Sequence, residues 1–373
     1  MTYRLLLRLA WLLPLLLPTA CDKQESVAPD SPQRAIRFEM PALGAAAEVR
    51  AAADLPAGFA FGVLGYCVPY DVMTVSGSNP QPDPDNASAI WENKKEFSHP
   101  DVFNGQLVTW NGTAAAYAPL RAWEENPEAC YTFFAYHPTA HLTPVQRGNA
   151  NALQANSVGA PRLRFEMGVA DGATLTPAEV AALPDAMAAA TYDVLRAGGK
   201  VRFAFRRLLA GLRFRINNYD TANPVTIHDI RVSGTFHRAA IFDFATAEPT
   251  ATVEAGTYRA TFDLLDGDRT VQPNTSSVGT DAAGRPIDYV GETLRLLPAA
   301  NLGSGIKLHV EYTSAKGEKK TFNKDFDAML AITPQRGSLY TFHLNFLGDR
   351  FVIMCVTDNN DYWDGFDNDV TIN

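Results

Sequence analysis

From Lys200 to Asp358 the chain falls into short runs in which apolar and polar residues alternate, most of them separated by turn formers. In KVRFAFRRLLAGLRFRINN, Val201, Phe203 and Phe205 share one side, while Arg202, Ala204 and Arg206 share the other. The alternation breaks at 208–211 and resumes with Leu212, Phe214 and Ile216 against Arg213 and Arg215. That predicts a strand, a bend or bulge, and a second strand. VTIHDIRVSG, ATVEAG, YRATFDLL, ETLRLLPA, IKLHVEYTS, EKKTFNKDF, SLYTFHLNFLG and RFVIMCVTD follow. A period of two places one apolar face on each strand, and many short strands so spaced bury those faces by stacking sheets. The expected fold class is all-β, a sandwich architecture.

The first half is less regular. FAFGVLGYCV (59–68) has apolar residues in both alternate sets, as a strand covered on both faces requires. YTFFAYHP (131–138) is a strand closed by proline. Asn104-Gly105 and Asn111-Gly112 predict tight turns on either side of Leu107, Val108 and Trp110. Pro80, Pro82 and Pro84 make 75–90 a loop; 139–160 also reads as loop, and PRLRFEMG (161–168) as a strand. In TPAEVAALPDAMAAATYDVLRA (176–197), Thr176 and Glu179 have capping-box spacing for a helical turn, which Pro184 interrupts. AGGK (197–200) is a turn and the expected domain junction. The expectation is two tandem sandwich domains of transthyretin or immunoglobulin type, 35–197 and 198–373.

The start of the chain gives the compartment. MTYRLLLRLAWLLPLLLPTAC has Arg4 and Arg8 before a short apolar run, too short for a membrane helix. Residues 1–20 are read as a signal peptide, with Thr19 and Ala20 ahead of Cys21 as at a lipoprotein cleavage site. Cys21 is the expected lipidation residue, carrying acyl chains such as palmitate. Residues 21–34 then form a lipid-anchored flexible stalk. Ordinary cleavage beside an incidental cysteine is the alternative. AIRFEM (35–40) is a short strand, and 41–58 an Ala-, Gly- and Pro-rich connection around Arg50.

Charge and motifs exclude more than they suggest. The net charge is −9, and −11 without residues 1–20, so nucleic acid is a poor partner. Cys67, Cys130 and Cys355 form no CxxC; buried thiols are the main reading, and a Cys67–Cys130 disulfide the alternative. GxSxG, HExxH, GxxxxGK[ST] and GxGxxG are absent. The acidic run 358–369 fails the calcium-loop test, because with Gly365 at the sixth position the third is Tyr362 and the twelfth Thr371. His309 and His343 alternate with core positions and read as surface residues of a sheet. No catalytic residue, metal or cofactor is expected, and the chain is not expected to be an enzyme.

FAFGVLGY, the hairpin with Trp110, and YAPLRAWEENPEACYTFFAYHP, taken in that order, resemble the fimbrillins, subunits of type V pili, and most nearly their minor-fimbrillin-like branch. Tyr117, Pro119 and Trp123 match the family's Y-x-P…W segment, and Phe133–Pro138 its FFAYYP. KVRFAFRRLLAGLRFRI resembles the opening strand of the second domain, with Arg207 near a usual His. FVIMCVTDNNDYWDGF resembles the closing strand, with Trp363-Asp364-Gly365 lacking one residue of W-x-D-G.

The resemblance implies a structural or adhesive subunit of a cell-surface fimbrium, exported to the outer membrane as a lipoprotein. An arginine-directed protease would remove the first strand, Ala35, Ile36, Arg37, Phe38, Glu39 and Met40. The cut would follow Arg50, with Arg37 and Arg34 as fallbacks. Other fimbrial subunits, self or paralogues, would then add a strand. The donor would be 350–373, through Phe351, Val352, Ile353, Met354, Cys355 and Val356. A host or bacterial surface receptor is a further implied partner. Stalk, tip and anchor roles stay open. A surface carbohydrate-binding lipoprotein, stacking sugars on Trp91, Trp110, Trp123 and Trp363, is the alternative function.

Overall fold

The computed structural model describes residues 34–39, 42–43, 56–68, 89–125, 129–149, 151–196, 199–281, 284–326, 333–348 and 350–358. The fold is all-β. Seven strands form the largest sheet, in the order Ala42–Leu43, Ala204–Arg207, Met187–Leu195, Cys130–His137, Ala60–Val68, Phe103–Trp110, Ala115–Ala116. A second sheet runs Val290–Leu296, Ala210–Asn218, Leu339–Leu347, Arg350–Asp358. A third runs Lys319–Asp325, Ser304–Thr313, Val225–His237, Thr257–Asp263, Ala173–Leu175. A fourth runs Thr250–Val253, Ala239–Asp243, Arg162–Glu166, Leu142–Val145.

The seven-stranded sheet is buried on both faces, as the doubly apolar run 59–68 predicts. Phe61, Val63, Phe133 and Ala135 face one core with Ile36, Phe38, Phe203 and Phe205. Leu64, Tyr66, Val68, Phe134 and Tyr136 face a second core, which continues through Phe165 and Phe242 to Phe214, Ile230, Leu308 and Phe342. Gly62 lets Tyr136 lie flat across its strand, since a Cβ there would stand 2.2 Å from the ring. We expect Gly62→Ala to lower unfolding free energy by about 1–3 kcal/mol in a urea titration, because the ring cannot retreat into a packed core.

Strand pairing crosses the sequence junction near 197 in both directions. Lys200–Val201 and Ala204–Arg207 pair with Arg37–Phe38 and Met187–Leu195. Arg162–Glu166 pairs with Ala239–Asp243, and Ala173–Leu175 with Thr257–Asp263. The chain changes cores where the alternation breaks: Phe203 and Phe205 belong to one, Leu208 and Leu209 to the other.

Several local expectations change. Asn104-Gly105 is no turn: the register slips opposite Val63 and Leu64, and Gly105 takes φ +77° as the extra residue of a bulge inside Phe103–Trp110. Asn111-Gly112 does turn the chain, with Asn111 Oδ1 accepting from the Thr113 and Ala114 amides at 2.9 and 2.8 Å. The capping box forms as predicted at Pro177–Ala181, with Thr176 and Glu179 bonded reciprocally. The helical turn ends before Pro184, and Met187–Leu195 is a strand held between two neighbours. The expected loop 75–90 overlaps the helix Ala89–Lys94 only at its last two residues, whereas the expected loop 139–160 holds the strand Leu142–Val145. Cys67 and Cys130 point to opposite faces of the sheet, one to each core, and form no disulfide.

Candidate functional site

Ala35–Phe38 is built into a slot rather than into a large sheet. Arg37–Phe38 pairs in parallel with Lys200–Val201, and Ala35 bridges Ala122 on the other side. The Ile36 amide donates to the Arg121 carbonyl at 2.8 Å, and the Glu39 amide to the Val201 carbonyl at 2.8 Å. The Trp123 amide donates to the Arg34 carbonyl at 2.9 Å. The Tyr117 hydroxyl donates to the Ile36 carbonyl at 2.7 Å. Burial raises the Tyr117 pKa, which keeps that donor protonated.

Two side chains fill the slot. Ile36 is 0% and Phe38 6% exposed. The Phe38 ring stacks on Phe203 at 5.6 Å and meets Phe61, Phe103, Tyr117 and Phe133 at 5.6–6.4 Å. Between them Arg37 faces outward, and Glu39 lies 3.9 Å from both Lys200 and Arg202. A cavity of about 700 Å³ opens alongside, walled by Trp110, Tyr117 and Leu120. The slot therefore joins backbone contacts that any sequence can make to two deep apolar positions that only some sequences can fill.

Arg350–Asp358 is the last strand of its sheet, paired antiparallel through nine positions with Leu339–Leu347. Phe351, Ile353 and Cys355 pack on the core, with Phe351 against Phe346 and Phe322 at 4.9 Å and Tyr312 at 5.7 Å. Val352 and Met354 are 44% and 41% exposed, so this strand buries one face only, where the sequence reads both faces as apolar. Its far edge carries no strand among the described residues.

Arg34 stands at the mouth of the slot, 3.0 Å from Glu125. Cys21, Met40 and Arg50, the side chain of Val356, and Trp363 lie outside the described residues. Trp91, Trp110 and Trp123 are 0%, 5% and 3% exposed. They are core residues, so the sugar-stacking surface expected of them is not there. Burial pushes the thiols of Cys67, Cys130 and Cys355 up to about 12, which leaves them unreactive at neutral pH. No helix among the described residues is long and apolar enough to cross a membrane.

A family model described as fimbrillin-like matches residues 83–357. The chain belongs to the fimbrillin-like family. The resemblance carried by the Y-x-P…W segment and its neighbouring strands is thereby borne out. This fimbrillin-like chain is similar to a solved fimbrial protein from Bacteroides vulgatus, at 16% identity and a TM-score of 0.50, over 87% of this chain and 99% of that one. It is also similar to the fimbrial anchor protein Mfa2 from Porphyromonas gingivalis, at 12% identity and a TM-score of 0.32, over 86% and 97% of the two chains. No curated protein matches it. The walls of the slot were partly legible: Tyr117 and Trp123 stand in the family motif, whereas the roles of Arg121 and Val201 follow only from strand pairing.

Proposed function

We propose that this fimbrillin-like chain, a fimbrial adhesive subunit, assembles by giving up its first strand and accepting one from a neighbouring subunit, and that it performs no catalysis. The observation that carries the reading is the slot beneath Ile36 and Phe38. Its contents are a few residues long, among the described residues pair only with the short strand Lys200–Val201 and bridge to Ala122, and include an outward-facing arginine. A cut after Arg50 would free 35–40 from the domain; at the fallback sites, a cut after Arg37 would free only 35–37, and a cut after Arg34 would leave 35–40 as the new N-terminus. The vacated slot would offer the Arg121 and Val201 carbonyls, the Trp123 amide and a pocket of five rings. An incoming strand with two apolar residues spaced by one would satisfy all of them.

The donor in this proposal is 350–373. Donation requires Arg350–Asp358 to leave a nine-position ladder and the core contacts of Phe351. Accepting a strand therefore disturbs this chain less than donating one, which favours a subunit at the end of the fimbria. The proposal also includes acylation of Cys21, which would hold the unprocessed chain at the outer membrane.

Limiting trypsin on the mature protein should remove about its first thirty residues. The clipped protein should bind a peptide spanning 350–373, and Arg50→Ala should block both steps. Ladders that resist detergent without boiling would identify a stalk subunit; peptide binding without ladders would identify an end subunit. A clipped protein that does neither overturns the reading.

A further inference from the structure

Strands Val225–His237 and Ser304–Thr313 pair so that Asp229 lies opposite Glu311 and Arg231 opposite His309. The register slips between Ile227 and Asp229, a bulge that turns the Asp229 side chain onto the same outer face as His309 and Glu311. The His309 Nε2 atom is 3.2 Å from Glu311 Oε1 and 3.7 Å from Asp229 Oδ2, and all three donor atoms lie within 4.8 Å of one another. Neighbouring ligands on a tetrahedral zinc ion, bound at 2.0–2.1 Å, stand about 3.3–3.4 Å apart. The histidine thus already holds near-ligand spacing to both carboxylates.

We propose that Asp229, His309 and Glu311 form a binding site for a divalent first-row transition-metal ion, with Zn²⁺ as its probe. The Asp229 side chain is 9% exposed. Its charge partner is the Arg231 guanidinium, which lies against Oδ2 from a side chain that is 46% exposed. That arginine has a second carboxylate to turn to, because Arg231 is also the cross-strand partner of Asp263. Asp229, Glu311 and Asp263 share this face with Arg231, His309 and Lys307, and a dication at the triad would hold Asp229 and Glu311 while Arg231 moves to Asp263. One imidazole and two carboxylates suit zinc or manganese; calcium prefers six to eight oxygens and finds too few here. The three residues leave a coordination position for water or for a group from a partner. The site is independent of the strand-exchange reading and lies on a different sheet.

The test is calorimetric titration of Zn²⁺ into the full chain after chelator treatment and dialysis. One equivalent should bind. His309→Ala should weaken it by more than about tenfold, and Glu311→Gln should weaken it while keeping the side-chain shape. Arg231→Gln should tighten it several-fold by removing the competing cation. Melting curves report whether each variant folds, and the exposed Glu311 makes Glu311→Gln the safer of the two ligand variants. No binding at millimolar Zn²⁺ would overturn the proposal. So would binding that survives His309→Ala unchanged, which would place the ion elsewhere on the chain.

Discussion

Phe38→Ala should lower the unfolding free energy by about 3–5 kcal/mol, the usual cost of truncating a buried phenylalanine. Of the five rings around Phe38, Phe61, Phe103, Phe133 and Phe203 are each 2% exposed or less, and Tyr117 is half-buried. The four buried rings are packed into the core and close poorly over the space left behind, so the loss should fall within that range. A urea titration reads it as a lower midpoint at unchanged slope. The same variant should bind a displacing peptide faster, because the first strand is then held mainly by Ile36 and its backbone bonds. A loss below 1 kcal/mol would mean that the slot is not closed around Phe38 in solution, and the exchange reading would lose its physical basis.

Asp193→Ala should cost a similar amount, about 3–5 kcal/mol, for a different reason. Asp193 is 5% exposed and sits at a register slip within Met187–Leu195 with φ +51°, a conformation that aspartate tolerates better than alanine. Its carboxylate accepts from the amides of Ile90 and Trp91 at 2.8 and 2.9 Å, which caps the start of Ala89–Lys94 from a distant strand. Alanine would leave both amides buried without a partner, at about 1–3 kcal/mol each. It would also add left-handed strain. Asp193→Asn keeps the conformation and an acceptor, so its loss should be smaller.

The pH dependence separates the charge from the hydrogen bonds. Burial raises the Asp193 pKa even though the two amides favour its anion. A raised folded-state pKa means that this group's contribution is complete below the ordinary carboxylate range. It declines as the pH climbs through the raised value. The wild type should therefore lose its advantage over Asp193→Asn as the pH rises from the acid side towards neutrality. A gap that widens over that range would show that the amides, not burial, control the group.

Two local signals give way to distant neighbours. Met187–Leu195 holds three successive alanines, which carry no side-chain signal for pairing. It is a strand because Cys130–His137 and Ala204–Arg207 flank it on both sides. Asn104-Gly105 meets every local requirement of a hairpin turn, yet Ala60–Val68 continues past it and turns it into a bulge. In both places a neighbour distant in sequence overrides a local preference. His309 shows the same limit from the side of chemistry. Its alternation correctly puts it on a sheet surface, but only the slipped register of Val225–His237 brings Asp229 to it.

The sequence by itself determined that the chain is all-β and where most strands of the second half run, because the two-residue alternation that encodes a strand is complete within the strand. It also determined the family, since the motif order along the chain is a one-dimensional property. Only the tertiary structure decided which strands are neighbours, that pairing crosses the junction near 197, and that 35–38 lies in a slot while 350–358 lies at a sheet edge. Those are properties of hydrogen bonds between segments tens to hundreds of residues apart, and no short stretch of side chains records its partner.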